Sequence, residues 1–365
     1  MSKTVLFTAS TYSHIAHFHR PYLQAFRDSG WTVDIACGGI PAEIPEARRV
    51  IHLPFEKSIT APANFRAQRL LRRELLTQGY DLITTHTSLA AFFTRLAARG
   101  LHTRVVNTCH GYLFDEHTPA PRRLLLLGAE QLTAERTDLL LTMNRCDYEI
   151  ARSHRLGRQI RLIPGIGVDF TALDCCPPAA GAALREQLGI PRGTFVLLYP
   201  AEFSVRKSQE TLIRALALLP PAAFLLLPGQ GARWEEAKAM AVRLGVANRV
   251  RFPGYVTNMA PWYRAADCVV TTSRSEGLPF NVMEAMRAGL PVVASAVKGH
   301  EDLIQEGENG FLFPYGDAQA CRDRIERLLD NPSLGPTLGM RGAADSEKYR
   351  LGTVLPRVMK NYLSV

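Results

Sequence analysis

Short apolar runs rich in Val, Ile, Leu and Thr alternate with longer amphipathic runs along the whole chain. A short run that stays apolar at successive positions fits a strand covered on both faces, as in a parallel sheet. The first half offers Thr4–Ala9, Thr32–Ala36, Arg49–Leu53, Leu82–Thr85, Arg104–Thr108, Leu139–Met143 and Ile160–Ile163. The second half offers Phe195–Pro200, Ala223–Leu227, Val250–Phe252, Cys268–Thr272, Pro291–Ser295 and Gly310–Phe313. The intervening runs have helical spacing. This alternation predicts an α/β protein with parallel sheets.

A chain of 365 residues is too long for one ordinary core and suits two domains. The Pro/Gly-rich segment Ile163-Pro-Gly-Ile-Gly-Val-Asp-Phe170 reads as the crossing between them. The boundaries are therefore expected at 1–165 and 166–345, with a helical segment in 346–365. Residues 171–182, rich in Pro and Ala, read as a loose connection.

Composition narrows the class. A hydrophobic share of 47% and a charged share of 21% fit a packed soluble protein. No apolar run reaches the length of a transmembrane helix, and the first nine residues read as a strand, not a secretory signal. The seven cysteines are scattered without a C-x-x-C, so a reducing, cytoplasmic setting is expected. The net charge is +9, and residues 1–170 carry 21 Lys and Arg against 15 Asp and Glu. No nucleic-acid motif accompanies this charge. A basic first half can equally face an anionic membrane or a lipid-diphosphate. Arg66, Arg69 and Arg73 share a helix face beside Arg72, and Arg122-Arg123 precede four leucines; solvated faces would give the same pattern.

The candidate chemistry concentrates between Asp267 and Pro291. A strand-like run is followed by Glu276-Gly277-Leu278-Pro279 and then by good helix formers to Arg287, with Gly289 as the stop. Pro279 is expected to open that helix. A helix N-terminus offers unpaired N–H groups and a positive dipole end, which attract phosphate. Glu276 lies in the turn before it. Glu284, eight positions later, lies just over one turn inside. A diphosphate flanked by hydroxyls on both sides describes a nucleotide sugar.

The spacing E-x7-E, within Ser273, Glu276, Gly277, Leu278, Pro279, Glu284, Ala285, Met286, Gly289, Pro291, Val292, Val293 and Ala294, resembles glycosyltransferase family 4. The resemblance covers nearly the whole chain. It implies the retaining GT-B fold, with two doubly wound Rossmann-like domains facing across a cleft. The first domain would bind acceptor and the second the nucleotide sugar, and the last helix would cross back to the first. It also implies a hexosyltransferase working from a UDP-sugar, without metal or other cofactor. The acceptor would be lipid-linked or a growing surface polysaccharide, as in the capsular and exopolysaccharide subset.

Arg206 and Lys207 follow the first strand of the second half, where a doubly wound sheet binds ligand. The resemblance assigns them the donor diphosphate, Glu276 the sugar and Glu284 the ribose. Gly229, in Pro228-Gly-Gln-Gly231, and Tyr255 fall in turns that line the base pocket in the family. Ala201-Glu202 stands where many members carry Gly-Arg, so the cationic duty falls on Arg206 and Lys207. His110, before Gly111 at a strand end, resembles the histidine that members present to the reacting centre; a buried core histidine would look the same. His300, in a segment that matches the family's closing stretch, reads equally as a donor contact or a surface histidine. Ser13, His14 and His17, with His19, lie in the first strand–helix connection and are read as acceptor-side groups. Their spacing alone suggests metal, but no carboxylate or cysteine accompanies them at ligand spacing. Two other readings stay open. One is an isomerase of the non-hydrolysing UDP-N-acetylglucosamine 2-epimerase type. The other is a non-catalytic sugar-nucleotide-binding subunit.

Overall fold

The structure, a computed structural model, describes residues 2–115 and 118–364. The chain divides into two compact units, Met1–Ile166 with Val354–Val365, and Gly167–Thr353. In the first unit the strands are β1 (Thr4–Ala9), β2 (Thr32–Cys37), β3 (Arg49–His52), β4 (Leu82–His86), β5 (Arg104–Cys109), β6 (Leu139–Thr142) and β7 (Gln159–Leu162). In the second they are β8 (Phe195–Leu198), β9 (Ala223–Pro228), β10 (Val250–Gly254), β11 (Cys268–Thr271), β12 (Val292–Ser295) and β13 (Gly310–Phe313). Each strand lies within two residues of the segment read from the hydrophobic pattern. β8 stops at Leu198, short of Pro200, because proline has no N–H to donate to the ladder.

The sheet orders are β3-β2-β1-β4-β5-β6-β7 and β10-β9-β8-β11-β12-β13, and every pairing is parallel. Both are Rossmann-like. In each, the order reverses beside its first strand: between β1 and β4, and between β8 and β11. A crevice opens outside the carboxyl ends of the strands at such a reversal, and it is the place where this fold binds ligands.

The cores are mostly aliphatic, with a few aromatic side chains among them. In the first unit Leu6, Leu53, Leu71, Leu75, Ile83 and Val105 pack between sheet and helices. In the second, Leu197, Leu216, Leu225, Val270, Val293 and Phe311 do so.

Two expectations are corrected. Residues 171–182 are not loose: helices span Thr171–Asp174 and Pro178–Gln187. Pro178 suits the first helical position, and a Cβ at Gly181 would lie 2.2 Å from the Arg264 carbonyl oxygen. Only glycine permits that approach. The segment joining the first unit starts at Val354, not 346. Ser346 ends helix Leu334–Ser346, and Leu351 N bonds to the Val168 carbonyl inside the second unit. From there helix Leu351–Leu363 carries Tyr362 to the first unit, where its hydroxyl meets Thr108 Oγ1 at 3.0 Å.

Candidate functional site

In the second unit, the ends of β8 and β11 bring Arg206, Lys207 and Glu276 together. Arg206 Nη1 donates to Glu276 Oε2 at 2.7 Å, and Lys207 Nζ donates to Oε1 at 2.6 Å. The Glu276 and Lys207 side chains are 7% and 12% exposed, whereas Arg206 is 49% exposed. Burial alone would raise the Glu276 pKa. Lys207 and Arg206 overcome it and hold the carboxyl at about 2. Burial also pulls the Lys207 ammonium below the ordinary lysine value, and Glu276 offsets part of that.

The loop carrying the cations is fixed by its backbone. Tyr199 Oη donates to the Lys207 carbonyl at 2.8 Å and pairs with Ser273 Oγ at 2.9 Å. Thr272 Oγ1 donates to the Ser208 carbonyl at 2.8 Å. Ser208 has φ +52°, a left-handed conformation uncommon outside glycine. It opens helix Gln209–Leu218 and turns Lys207 towards Glu276. Each cation keeps spare donors. Among the described residues, Arg206 uses only Nη1, for Ser275 O and Glu276, and Lys207 spends one of three ammonium hydrogens.

Behind Glu276 the packing is tight. A Cβ at Gly299, φ +83°, would lie 2.8 Å from the Gly277 carbonyl oxygen and 3.0 Å from Glu276 Cβ. His300 is fully buried, not on the surface. Its Nδ1 lies 2.8 Å from the Ser295 carbonyl, and burial lowers its pKa to about 4 against the pull of Glu276.

Glu284 has different surroundings. Helix Phe280–Arg287 begins one residue later than expected, with Pro279 in an extended conformation as its cap. Leu278 is buried beside it. Within the helix Glu284 accepts from Tyr263 Oη at 2.7 Å, and burial raises its pKa. Asn281, one turn earlier, donates to the Pro200 carbonyl at 3.2 Å, tying the helix to the end of β8.

Gly229 and Tyr255 lie directly after β9 and β10. Gly229 and Gly231 approach the chain's own backbone: a Cβ at Gly229 would lie 1.9 Å from the Ala201 carbonyl oxygen. Their glycine requirement is therefore structural. Tyr255 is 66% exposed.

In the first unit the ends of β1, β4 and β5 gather histidines. One ring nitrogen from each of His14, His19, His86 and His110 lies within 4.8 Å of the others. His14 Nε2 and His19 Nε2 are 3.2 Å apart, as are His86 Nδ1 and His110 Nε2. Burial, then the neighbouring rings, drives His19 and His110 well below the ordinary histidine pKa, and burial lowers His14 to about 4. Ser13 and His17 stay outside this group, exposed, with His17 Nδ1 bonded to the Ser13 carbonyl at 2.7 Å.

Tyr263, Tyr199, Gly299 and His86 escaped the sequence reading. His86 carried the signal used for His110, a histidine directly after an apolar strand. The tyrosines carried none, since an aromatic residue in a helix or strand reads as core.

Residues 182–343 match the family described as Glycosyl transferases group 1, and residues 22–170 match Glycosyltransferase Family 4. EpsD of Bacillus subtilis (strain 168), a glycosyltransferase by designation, is 35% identical over 356 residues, covering 96% of this chain and 93% of EpsD. The chain belongs to glycosyltransferase family 4. That membership displaces the isomerase and non-catalytic readings. A D-inositol 3-phosphate glycosyltransferase of Streptomyces avermitilis is 30% identical over 74% of this chain and 62% of its own length. Among solved structures, HepE of Anabaena in complex with UDP and glucose superposes with a TM-score of 0.82 at 22% identity, over the whole of both chains. Sucrose-phosphate synthase from Thermosynechococcus elongatus gives 0.84 at 23% identity, covering 99% of this chain and 98% of that one. These likenesses establish the GT-B fold for this family 4 glycosyltransferase.

Proposed function

We propose that this glycosyltransferase moves a hexose or N-acetylhexosamine from UDP to an acceptor hydroxyl, with retention at the sugar carbon. The carrying observation is the Arg206–Glu276–Lys207 cluster at the β8/β11 reversal, where the cations keep spare donors. HepE, of the same fold, is known in complexes with UDP and with UDP-glucose. In this reading Arg206, Lys207 and the start of helix Phe280–Arg287 take the diphosphate and stabilise charge as it leaves. Glu276 holds sugar hydroxyls and Glu284 the ribose. The bond from the sugar carbon to the diphosphate oxygen breaks, and a bond to the acceptor oxygen forms on the same face. The acceptor proton passes to the departing phosphate oxygen, so no protein nucleophile is required.

The protein's own cations and the helix end supply the electrostatics in this unit, so UDP is expected to raise the melting temperature in chelator-treated protein. Stabilisation should reach ~2.7 kcal/mol at about a hundred-fold excess over Kd. If UDP, GDP and ADP all leave the melting curve unmoved, the donor reading fails.

For the acceptor, we propose a lipid-linked or growing surface glycan reached from the cytoplasmic face of a membrane. The first unit has a groove of about 310 Å³ lined by Phe92, Leu113, Phe114, Leu125 and Leu126, with Lys57 and Arg122 also lining it. Leu113, Leu124 and Leu125 are more than half exposed. No described helix is long and apolar enough to cross a membrane, so contact would be peripheral. Helix Ala120–Ala134 is the better contact than the 66–73 face, because Arg72 is committed to the Ala97 and Arg99 carbonyls. Basic groups near an anionic surface add about 1 kcal/mol each. The protein should co-sediment with anionic vesicles at low salt and release at high salt. Replacing Arg122, Leu124 and Leu125 by Gln should abolish this and leave UDP affinity intact. Unchanged sedimentation of that variant, or none for the parent, would point to a soluble acceptor.

A further inference from the structure

We infer that His14, His19, His86 and His110 form a binding site for a divalent transition-metal ion of the zinc type. The sequence argued against metal because the first connection supplies histidines without partners at ligand spacing. The fold supplies those partners from β4 and β5. His86 ends β4 and His110 directly follows β5, so the parallel register brings both rings beside the turn after β1.

The dimensions fit. A zinc ion about 2.0–2.1 Å from each imidazole nitrogen places tetrahedral ligand atoms roughly 3.3–3.4 Å apart. Two nitrogen pairs here stand at 3.2 Å, and one ring nitrogen from each of the four histidines lies within 4.8 Å of the others. Imidazole is a ligand that zinc, nickel and copper share.

Within each pair the rings can share one proton, and among the described residues His19 Nδ1 and His86 Nε2 are buried with no hydrogen-bond partner. An anion would need protonated rings. Burial and the 3.8 Å separation of the His19 and His86 ring centres oppose charging neighbours. A cation that takes lone pairs from neutral rings needs no charged histidine.

The backbone beside the cluster is held in an unfavourable shape. Thr87, next to His86, has φ +63°, a genuine outlier for a β-branched residue. Its Oγ1 accepts from Ser10 N at 2.9 Å, locking the ends of β1 and β4 together. Strain of this kind persists where the surroundings over-determine it, commonly at a ligand site.

The test uses tag-free, chelator-treated protein and the metals alone. Co²⁺ should give the intense visible absorption of tetrahedral coordination, Zn²⁺ should displace it, and about one ion should bind per chain. His86→Gln and His19→Gln should weaken Zn²⁺ by at least the roughly 10- to 100-fold that loss of an outer partner costs. Half-buried His14→Gln is the variant most tolerant of substitution and should behave alike. Exposed His17→Gln should bind as the parent does. The inference is overturned if the parent gives no tetrahedral Co²⁺ spectrum, or if His14→Gln and His86→Gln retain the parent's affinity. The donor reading is separate, since UDP stabilisation is measured without metal and depends on the other unit.

Discussion

Replacing Lys207 by alanine is expected to lower kcat for sugar transfer by on the order of 10²-fold, about 2.7 kcal/mol of transition-state stabilisation. The diphosphate gains charge as the glycosidic bond breaks. A buried, positioned cation stabilises that charge more than an exposed one, because water screens the latter. Lys207 is the buried member of the pair at 12% exposure, and Arg206 is the open one at 49%. Arg206→Ala should therefore cost clearly less than Lys207→Ala. Both should weaken UDP. Steady-state kinetics with calorimetry on the two variants decides the matter. Parental kcat in Lys207→Ala would make the Lys207–Glu276 contact a structural ion pair with no part in transfer.

Glu276→Gln and Glu284→Gln are expected to separate sugar from nucleotide. Glu276→Gln should depress transfer by about 10²-fold, as loss of a single charged contact at the reacting centre does. It should leave UDP affinity equal or raise it, because it removes an anion from the two cations that would hold the diphosphate. Glu284→Gln should weaken UDP itself, by about 1.5–3 kcal/mol for a hydrogen bond to a charged group, while Tyr263 keeps an acceptor in the amide oxygen. Equal effects of the two changes on UDP affinity would mean the pair is assigned wrongly.

The same residue carries a pH signature. The Glu276 carboxyl is depressed from 4.5 to about 2, so its stabilisation is complete above pH 4.5 and is lost as pH falls towards 2. The shift corresponds to about 3 kcal/mol. Glu276→Gln should flatten that part of the acid-unfolding curve in ligand-free protein and lower stability at neutral pH, where Lys207 is left buried without its counter-charge. An unchanged acid limb would show that the ion pair adds nothing to folding.

The alternation of apolar strands and amphipathic helices was legible from the sequence because parallel strands are buried on both faces and leave continuous Val, Ile and Leu runs. The Glu276 turn was legible for a related reason: its residues are contiguous, and strand, turn and helix signals there are local. Spatial partnerships were not. Tyr263 reaches Glu284 and Tyr199 fixes the Lys207 carbonyl only because helix and strand ends are packed side by side. Gly229 reads as a ligand-binding glycine in sequence, and packing adds a requirement of its own, since a Cβ there would strike the Ala201 carbonyl. The histidines make the contrast plainest. His14 and His19 are neighbours in the chain, but His86 and His110 lie on separate strands whose ends meet only through sheet order and register. The sequence by itself determined the elements, the family and the identity of the charged groups, since these depend on local periodicity and contiguous motifs. The tertiary structure decided which of those groups touch, which are dehydrated and how their protons are held, because burial and pairing depend on residues remote along the chain.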